Sequence, residues 1–345
     1  MAYLTAALNH FRQVQLWAQA ANAEVTLDVR NFELEVRCNH RFYSLFPQFF
    51  SKLKGRLGHV PTLTEGNAGF IGWLPYKPLS WELSSDKLMF KHVLKQFQER
   101  TPSSWTDMSQ VDADYILKQS VGSFGYELAG PFRVAHALKQ DIAGHAPGIR
   151  GTTFAEQFVV GDNIKVWFWG REPFFAHRHA YPEVHGDGNQ TIGELIQERS
   201  KSLSHVLGDT SLDKMTIDSV IAYQYLTMET VLSAGQAVWI DYRYGRRYVD
   251  DFQNNLSDNA IPNFGLSLME QIERLGVKLE QELSKQFPAP VLYSVDGVID
   301  SDDHIWWLEM NSNPMFPPAG YKLVFNTLFG VDFGNEAGRP DGATG

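Results

Sequence analysis

Apolar residues recur along this chain with two different spacings, which predict both helices and strands. Near the N-terminus they lie three or four residues apart, the period of one face of a helix. Those positions are Leu4, Leu8, Phe11, Val14 and Trp17. Residues 24–29 and 32–37 alternate apolar and polar side chains, which predicts a pair of strands, and residues 266–287 return to the helical spacing. The N-terminal segment is therefore expected to be an amphipathic helix followed by a strand pair.

Short apolar runs in the middle of the chain predict strands that carry isolated charges. Residues 115–117 form such a run and lead directly to Lys118. Residues 154–160 contain a single acid, Glu156, and a glycine turn separates them from a further strand over residues 162–170. Glu156 is either a functional acid or an ordinary strand residue on a solvent-facing side.

A connection and a helix are predicted between the N-terminal segment and these strands. Residues 66–81 contain many glycines and prolines, which predicts a loop with a domain boundary near residues 78–84. The apolar spacing of residues 84–97 then predicts a helix with a serine N-cap. Lys87 and Lys91 lie one turn apart on this helix. They are interpreted as phosphate ligands or as solvated lysines on an exposed face.

The loop after Lys118 has the composition of a phosphate-binding segment. It contains Gly122, Ser123 and Gly125. Backbone N–H groups of such a loop can approach phosphate oxygens closely because glycine has no Cβ, and a lysine at the strand end supplies a positive charge. This segment is a candidate for contact with a phosphorylated ligand.

Three oxygen-bearing side chains are predicted to converge late in the chain. Residues 295–299 and 305–310 read as two strands joined by a tight polar turn, so they form a β-hairpin. Asp296 and Glu309, thirteen residues apart, are expected to lie opposite each other, and Asn311 shares the face of Glu309 because it is two residues further on.

Oxygen ligands without histidine or cysteine suit Mg²⁺ or Mn²⁺ better than zinc. The alternative is an exposed hairpin whose acids face solvent. Trp306 and Trp307 argue against that alternative, because they make the surroundings of the second acid strongly apolar.

Composition limits the class of protein. The chain has 345 residues, of which 43% are hydrophobic and 13% aromatic, so it can bury a large core in two or three subdomains. Its single cysteine excludes an internal disulfide framework and, with no recognisable signal peptide, favours the cytoplasm. A formal charge of -10 argues against nonspecific nucleic-acid binding. No apolar run reaches the ~18 residues needed to span a membrane.

The hairpin resembles the C-terminal metal-binding hairpin of the ATP-grasp superfamily. There an Asp, a Glu thirteen residues on and an Asn two further hold two Mg²⁺ against the phosphates of ATP. The resemblance implies that Asp296, Glu309 and Asn311 bind two Mg²⁺, with Mn²⁺ as an alternative. It also implies an α+β fold in which two α/β subdomains clasp ATP, at residues 85–165 and 166–332. A divergent N-terminal domain (1–84) would precede them, and a flexible tail (333–345) would follow.

Further motifs resemble the superfamily in the expected order along residues 84–318. By this resemblance, Lys87, Lys118 and the glycine-rich loop contact phosphate, and the hinge within residues 154–160 contacts adenine. The implied cofactor-binding residues are Lys87, Lys118, Gly122, Ser123, Gly125, Glu156, Gln157 and Phe158, with Asp162 or Asn163 at the ribose. These motifs imply that ATP is the cofactor.

A segment that begins at Arg178 resembles the cyanophycin-synthetase branch, near the ribosomal-protein glutamate ligases and D-alanine–D-alanine ligases. It includes Thr191, which is expected to cap a helix. Arg178 is a candidate phosphate or substrate contact. Family members often place an arginine where this chain has Ser294, so Arg243, Arg246 and Arg247 are candidates to replace that charge, or they pair with Asp250 and Asp251.

Three alternating histidines, His177, His179 and His185, are interpreted as surface residues rather than zinc ligands.

The resemblance implies a carboxylate–amine ligase acting on an amino acid or peptide. The carboxylate would attack the γ-phosphate of ATP and the amine would then displace phosphate from an acylphosphate, which releases ADP. Two alternatives remain open: an ATP-dependent kinase on the same scaffold, and a noncatalytic nucleotide-binding module. The expected partners are small-molecule or peptide carboxylate and amine substrates, without nucleic acid or membrane, and a homodimer is left open.

Overall fold

The computed structural model describes residues 2–53, 56–122, 129–135, 151–207, 214–244 and 258–331. The chain divides into two compact units. The first unit combines Met1–Leu79 with Asn313–Gly345, and the second is Ser80–Ser312. We call them the terminal unit and the central unit. The predicted domain boundaries at residues 84, 165 and 332 stay predictions.

The described helices and strands follow in chain order. The helices are α1 (Ala2–Ala21), α2 (Glu82–Ser85), α3 (Lys87–Gln96), α4 (Ile192–Leu207), α5 (Lys214–Tyr223), α6 (Leu266–Leu283) and α7 (Tyr321–Phe329). The strands are β1 (Glu24–Leu27), β2 (Leu34–Cys38), β3 (Arg41–Leu53), β4 (Arg56–Val60), β5 (Asn67–Leu74), β6 (Ser104–Trp105), β7 (Tyr115–Gln119), β8 (Ala129–Phe132), β9 (Thr153–Gln157), β10 (Asp162–Trp169), β11 (Glu172–His179), β12 (Glu183–His185), β13 (Ala237–Trp239), β14 (Leu292–Ile299) and β15 (Ile305–Asn311). This mixture of helices and antiparallel sheets confirms the predicted α+β class.

The terminal unit packs helices α1 and α7 with an antiparallel sheet. The strand order is β1-β2-β3-β4, and β5 also pairs with β3. Trp17 donates its indole N–H to Asn326 Oδ1 at 2.8 Å, which joins α1 to α7. The predicted N-terminal helix and the strand pair after it are both confirmed.

The prediction of a loop over residues 66–81 is wrong for its first half, because Asn67–Leu74 is strand β5. Its glycines permit close packing instead of breaking the strand. Gly72 has a φ of +153°, and a Cβ placed there would lie 2.9 Å from Phe316 Cδ1 and 3.3 Å from the Tyr321 hydroxyl. A glycine in a strand can mark such a close approach as readily as a turn.

The central unit contains two four-stranded antiparallel sheets. One has the order β6-β9-β7-β8 and carries Lys118 and Glu156, and we call it the lysine sheet. The other, with the order β11-β10-β14-β15, ends in the predicted hairpin, and we call it the hairpin sheet. The apolar face of α6 is buried in this unit and includes Ile272, Leu275 and Leu279.

Two helix starts test the capping predictions. The N-cap of α3 is Asp86 rather than a serine, and its carboxylate accepts hydrogen bonds from the backbone N–H groups of Leu88 and Met89. The prediction for α4 is confirmed. Glu194 N–H donates to the Thr191 hydroxyl at 3.2 Å, and Thr191 N–H donates back to the Glu194 carboxylate at 2.8 Å.

Across the described ranges, no helix has the length and apolar character needed to cross a membrane.

Candidate functional site

Four titratable side chains lie in one row across the hairpin sheet. Asp296 on β14 pairs with Glu309 on β15, which confirms the predicted register. On its other side Asp296 pairs with Lys165 on β10, and Lys165 pairs with His177 on β11. Directly opposite residues of neighbouring strands project from the same face of a sheet. The row therefore presents two carboxylates, a lysine and a histidine on one face. Only the two acids were predicted as site residues.

Asp296 is surrounded by hydrogen-bond donors. Lys165 Nζ lies 2.7 Å from Oδ1 and 3.0 Å from Oδ2 of the carboxylate. The side-chain amide of Asn311 donates to Oδ2 at 2.8 Å. Burial raises the pKa of Asp296, and the negative charge of Glu309 adds to that effect, whereas the ammonium group of Lys165 opposes it. The fold thus brings together Asp296, Glu309 and Asn311 and adds a lysine to them.

Glu309 connects the hairpin to helix α3. Lys87 Nζ lies 3.3 Å from Glu309 Oε2 and donates a hydrogen bond to the carbonyl oxygen of Gly122 at 2.8 Å. Burial alone would raise the pKa of Glu309, but the ammonium groups of Lys87, Lys118 and Lys165 outweigh burial and lower it. A small cleft lies here, and its polar lining residues are Ser84, Ser85, Lys87, Gly122, Glu309 and Asn311.

Lys91, Lys118 and Glu156 form a buried ion-pair triad at the lysine sheet. Lys91 Nζ lies 2.7 Å from Glu156 Oε2, and Lys118 Nζ lies 2.6 Å from Oε1. The exposed fractions of the side chains are 1% for Lys91, 7% for Lys118 and 1% for Glu156. The interpretation of Lys91 and Glu156 as solvent-facing residues is therefore wrong. Two ammonium groups on one carboxylate leave the triad with a net positive charge.

The triad and the hairpin interact electrostatically through Lys118. Burial would lower the pKa of Lys118, but the charges of Glu156, Glu309 and Asp296 raise it overall. Burial lowers the pKa of Lys91 to about 8, although Glu156 opposes that shift. For Glu156, burial would raise the pKa, and the two lysines together lower it. Lys118 is thus stabilised as a cation by acids from both sheets.

The hinge residues are held largely by contacts within the central unit. The backbone N–H groups of Gln157 and Phe158 donate to the carbonyl oxygens of Ser103 and Asp114. The Phe158 ring is buried in an aromatic cluster with Tyr223, Trp239 and Tyr242. Because these two backbone N–H groups already have acceptors, any adenine contact from Gln157 or Phe158 would use a carbonyl oxygen or a side chain.

The two candidates for the ribose contact have different surroundings. Asn163 is buried and donates its side-chain amide to the carbonyl oxygen of Tyr242 at 3.0 Å. The Asp162 carboxylate is partly exposed and accepts a hydrogen bond from Arg178 Nε at 2.7 Å. Both assignments stay predictions, and Asp162 is the more accessible of the two.

Of the four predicted arginines, the structure describes Arg178 and Arg243. Arg178 pairs across the sheet with Ile164, so its side chain projects from the face opposite that of His177 and Lys165. Arg243 forms an ion pair with buried Asp241, with 2.8 Å between Nη2 and Oδ2. The remaining candidates, Ser123, Gly125, Arg246 and Arg247, lie outside the described residues, as do Asp250 and Asp251.

His177 is buried, so the prediction that it is a surface residue is wrong. Its Nδ1 lies 2.5 Å from the hydroxyl of Tyr244. His179 is half-buried and His185 is exposed. Lys165 and His177 could have been found from the sequence only by pairing residues 162–170 with the metal hairpin, which the strand pattern alone did not indicate.

The donor set of the hairpin fits a hard divalent cation. Two carboxylates and one side-chain amide supply oxygen ligands, the type that Mg²⁺ and Mn²⁺ prefer. Asp296 and Glu309 repel each other across the ladder, and burial adds to the cost of charging Asp296. A divalent cation between them would relieve both costs.

No family model and no curated protein matches the chain. Among solved structures, a bifunctional glutathione synthetase from Pasteurella multocida is similar over 89% of this chain and 41% of its own, with 16% identity and a TM-score of 0.39. A D-alanine–D-alanine ligase from Bacillus anthracis is similar over 72% of this chain and 67% of its own, with 11% identity and a TM-score of 0.37.

The ATP-grasp ligase PsnB is similar over 72% of this chain and 60% of its own, with 11% identity and a TM-score of 0.32. This chain therefore spans between 41% and 67% of the lengths of these three proteins. Two of the three are ligases by name, and one carries the name of the superfamily whose motifs the sequence resembles. Every TM-score lies below 0.5, so these similarities carry no argument about the function of this chain.

Proposed function

We propose that this protein is an ATP-dependent ligase that joins a carboxylate to an amine. The observation that supports the proposal best is the buried ammonium group of Lys118. It pairs with Glu156 on the lysine sheet at 2.6 Å, and the charges of Asp296 and Glu309 on the hairpin sheet also stabilise it. A buried cation that interacts with an oxygen-rich hairpin suits a ligand that carries both phosphates and divalent ions.

The lysines would bind the nucleotide phosphates. ATP would bring about four negative charges close to the carboxylates of Asp296 and Glu309. Two like charges ~4 Å apart repel by about 4 kcal/mol at an effective dielectric constant of ~20. Lys87 and Lys118 offset this repulsion, and Gly122 offers a backbone that phosphate oxygens can approach closely. Lys91 supports this group indirectly, because it pairs with the Glu156 carboxylate that Lys118 also contacts.

Asp296, Glu309 and Asn311 would hold Mg²⁺ or Mn²⁺, two ions by the resemblance. When bound, such ions neutralise charge on the transferred phosphoryl group and orient it. The row on the hairpin sheet contributes by fixing the ligand oxygens on a rigid element. Asn311 is hydrogen-bonded to Asp296, so these two side chains already lie together.

The proposed chemistry has two steps. A carboxylate oxygen of the first substrate attacks the γ-phosphorus of ATP, the bond to the bridging oxygen breaks, and ADP leaves with that electron pair. The nitrogen of the amine then attacks the acyl carbon, phosphate leaves, and the amine loses a proton to solvent. Neither step requires a covalent bond to the protein, so no protein nucleophile is needed. We extend the proposal to amino-acid or peptide substrates in the cytoplasm.

A substrate screen tests this function directly. Amino acids and peptides are supplied as carboxylates, with and without a panel of amines, and ADP and phosphate are measured. A ligase releases both products only when an acid and an amine are present. A kinase instead forms a stable phosphorylated product without amine, and a noncatalytic module binds ATP but does not hydrolyse it.

Substitution of Glu309 by Ala should abolish the amine-dependent release of phosphate. The matched control is Glu282→Ala, which removes a carboxylate from an ion pair on the surface of α6. The control should retain wild-type turnover. Equal activity in the two variants would contradict a role for the hairpin in catalysis.

A further inference from the structure

The ammonium group of Lys165 contacts both carboxylate oxygens of Asp296, which is proposed to bind metal. Its Nζ lies 2.7 Å from Asp296 Oδ1 and 3.0 Å from Oδ2. Each of the two side chains is only 13% exposed, so the pair is largely withdrawn from water. A divalent ion that binds Asp296 must share or displace this ammonium group.

The backbone fixes Lys165 in this position. Strands β10 and β14 pair without interruption from Asp162 opposite Ile299 to Trp169 opposite Leu292. Lys165 and Asp296 lie directly opposite each other in the middle of this ladder. The ammonium group is therefore delivered by a rigid element, unlike that of a lysine on a surface loop.

Two aromatic rings lie beside the ammonium group in this same position. Lys165 Nζ lies 5.1 Å from the centre of the Tyr244 ring and 5.6 Å from that of Trp167. A cation within about 6 Å of an aromatic face is attracted by it. His177 contacts the Tyr244 hydroxyl and so helps to hold that ring in place. These rings would continue to attract the ammonium group if a divalent ion took its place at Asp296.

We infer that Lys165 is an internal cation at the metal position, which a divalent ion displaces and which makes metal binding depend on nucleotide. This inference rests on the proposed function, because it concerns the metal-binding role of Asp296. Without nucleotide, Lys165 neutralises Asp296 and competes with the divalent ion. With nucleotide, the phosphates supply a new anionic partner for the displaced ammonium group, so the ion binds Asp296 more readily. By linkage, metal and nucleotide then strengthen each other's binding.

Binding of Mn²⁺ to the nucleotide-free protein, measured by electron paramagnetic resonance, tests the inference. Lys165→Met removes the charge and keeps the aliphatic length, so Mn²⁺ should bind about tenfold tighter or more than to the wild type, which corresponds to ~1.4 kcal/mol or more. Lys165→Arg keeps the charge and should not tighten binding. Lys278→Met removes a lysine paired with buried Glu99 and should leave Mn²⁺ affinity unchanged.

A second measurement concerns the coupling with nucleotide. In the wild type, ATP should tighten Mn²⁺ binding to the protein, and this gain should be about tenfold smaller in Lys165→Met. Lys165→Gln serves as a second neutral variant in case Lys165→Met does not fold. Thermal unfolding verifies that the variants used are folded.

Two results would overturn the inference, and they differ in what they imply. If folded neutral variants bind Mn²⁺ no more tightly than the wild type, Lys165 is a structural partner of Asp296, and ligase activity in the wild type would leave the proposed function intact. If neither the wild type nor the variants bind Mn²⁺, with or without ATP, the proposed metal site fails and the inference fails with it.

Discussion

Lys91 and Glu156 form an ion pair from which water is almost completely excluded. Lys91 Nζ lies 2.7 Å from Glu156 Oε2, and each side chain is 1% exposed. Lys91 also donates to the hydroxyl of Thr101 at 3.1 Å and to the carbonyl oxygen of Pro102 at 3.4 Å. Charged groups are costly to remove from water unless they are paired, so neither residue could be buried here alone.

Replacing Glu156 by Gln should destabilise the protein strongly. The amide keeps the shape of the carboxylate but leaves the buried ammonium group of Lys91 without its counter-charge and removes the paired carboxylate from Lys118. Removing one partner of a buried ion pair costs about 3–5 kcal/mol in free energy of unfolding. Urea unfolding measures the change. Glu282→Gln, which breaks a surface pair with Lys285, is the control and should have little effect. A similarly small change for both variants would contradict the buried triad.

The terminal unit should lose stability in acid through His10. Burial lowers the pKa of His10 from 6.5 to about 3. The Tyr321 hydroxyl accepts a hydrogen bond from the backbone N–H of Trp73 and lies 3.0 Å from His10 Nδ1. Between these two pKa values the unfolded chain binds a proton that the folded protein does not, so stability falls as pH falls.

The expected slope for this histidine is at most about 1.4 kcal/mol per pH unit as the pH decreases from about 6.5. Its contribution is fully present above that pH. Thermal unfolding between pH 4 and pH 7 measures the slope. His10→Gln should flatten it, whereas substitution of exposed His185 by Gln should leave it as in the wild type. Identical slopes for the wild type and His10→Gln would disprove this origin of acid sensitivity.

Gly72→Ala should destabilise strand β5, whereas Gly69→Ala on the same strand should be tolerated. A Cβ at Gly72 would lie 2.9 Å from Phe316 Cδ1, and the backbone there has a φ of +153°. At Gly69 the closest atom, Phe50 Cδ2, is 3.8 Å away, an ordinary contact. Overpacking of this kind costs about 1–3 kcal/mol. Chemical denaturation of both variants checks the difference, and equal stabilities would argue against the close approach.

Lys118→Met should weaken ATP binding more than tenfold. The substitution removes the cation that acids from both sheets stabilise, and loss of one charge-assisted hydrogen bond to phosphate corresponds to about 1.5–3 kcal/mol. Isothermal titration calorimetry measures the affinity. Lys285→Met removes an exposed lysine on a surface pair and should bind ATP like the wild type. Unchanged affinity in a folded Lys118→Met variant would remove Lys118 from the phosphate site.

The amino-acid pattern by itself determined the local elements and the hairpin. Alternation and helical spacing are properties of neighbouring residues, so α1, α6 and the two hairpin strands followed from them. The facing of Asp296 and Glu309 was predicted correctly, but for an incomplete reason. Ile299 pairs with Ile305 and Gly297 with Trp307, so a regular ladder would pair Asp296 with Leu308. The shift in register between Asp296 and Gly297 leaves Leu308 as an extra residue on β15 and brings Glu309 opposite Asp296.

Contacts between distant segments were decided only by the tertiary structure. Lys165 meets Asp296 because β10 pairs with β14, 131 residues away along the chain. Lys91 is buried because Glu156 comes from another part of the central unit, and nothing in its local sequence separates it from a solvated lysine. The sequence specifies the side chains of each segment and the spacing at which apolar residues recur. Which strand lies beside which depends on long-range packing, and that packing sets the charge, burial and neighbours of every group in the site.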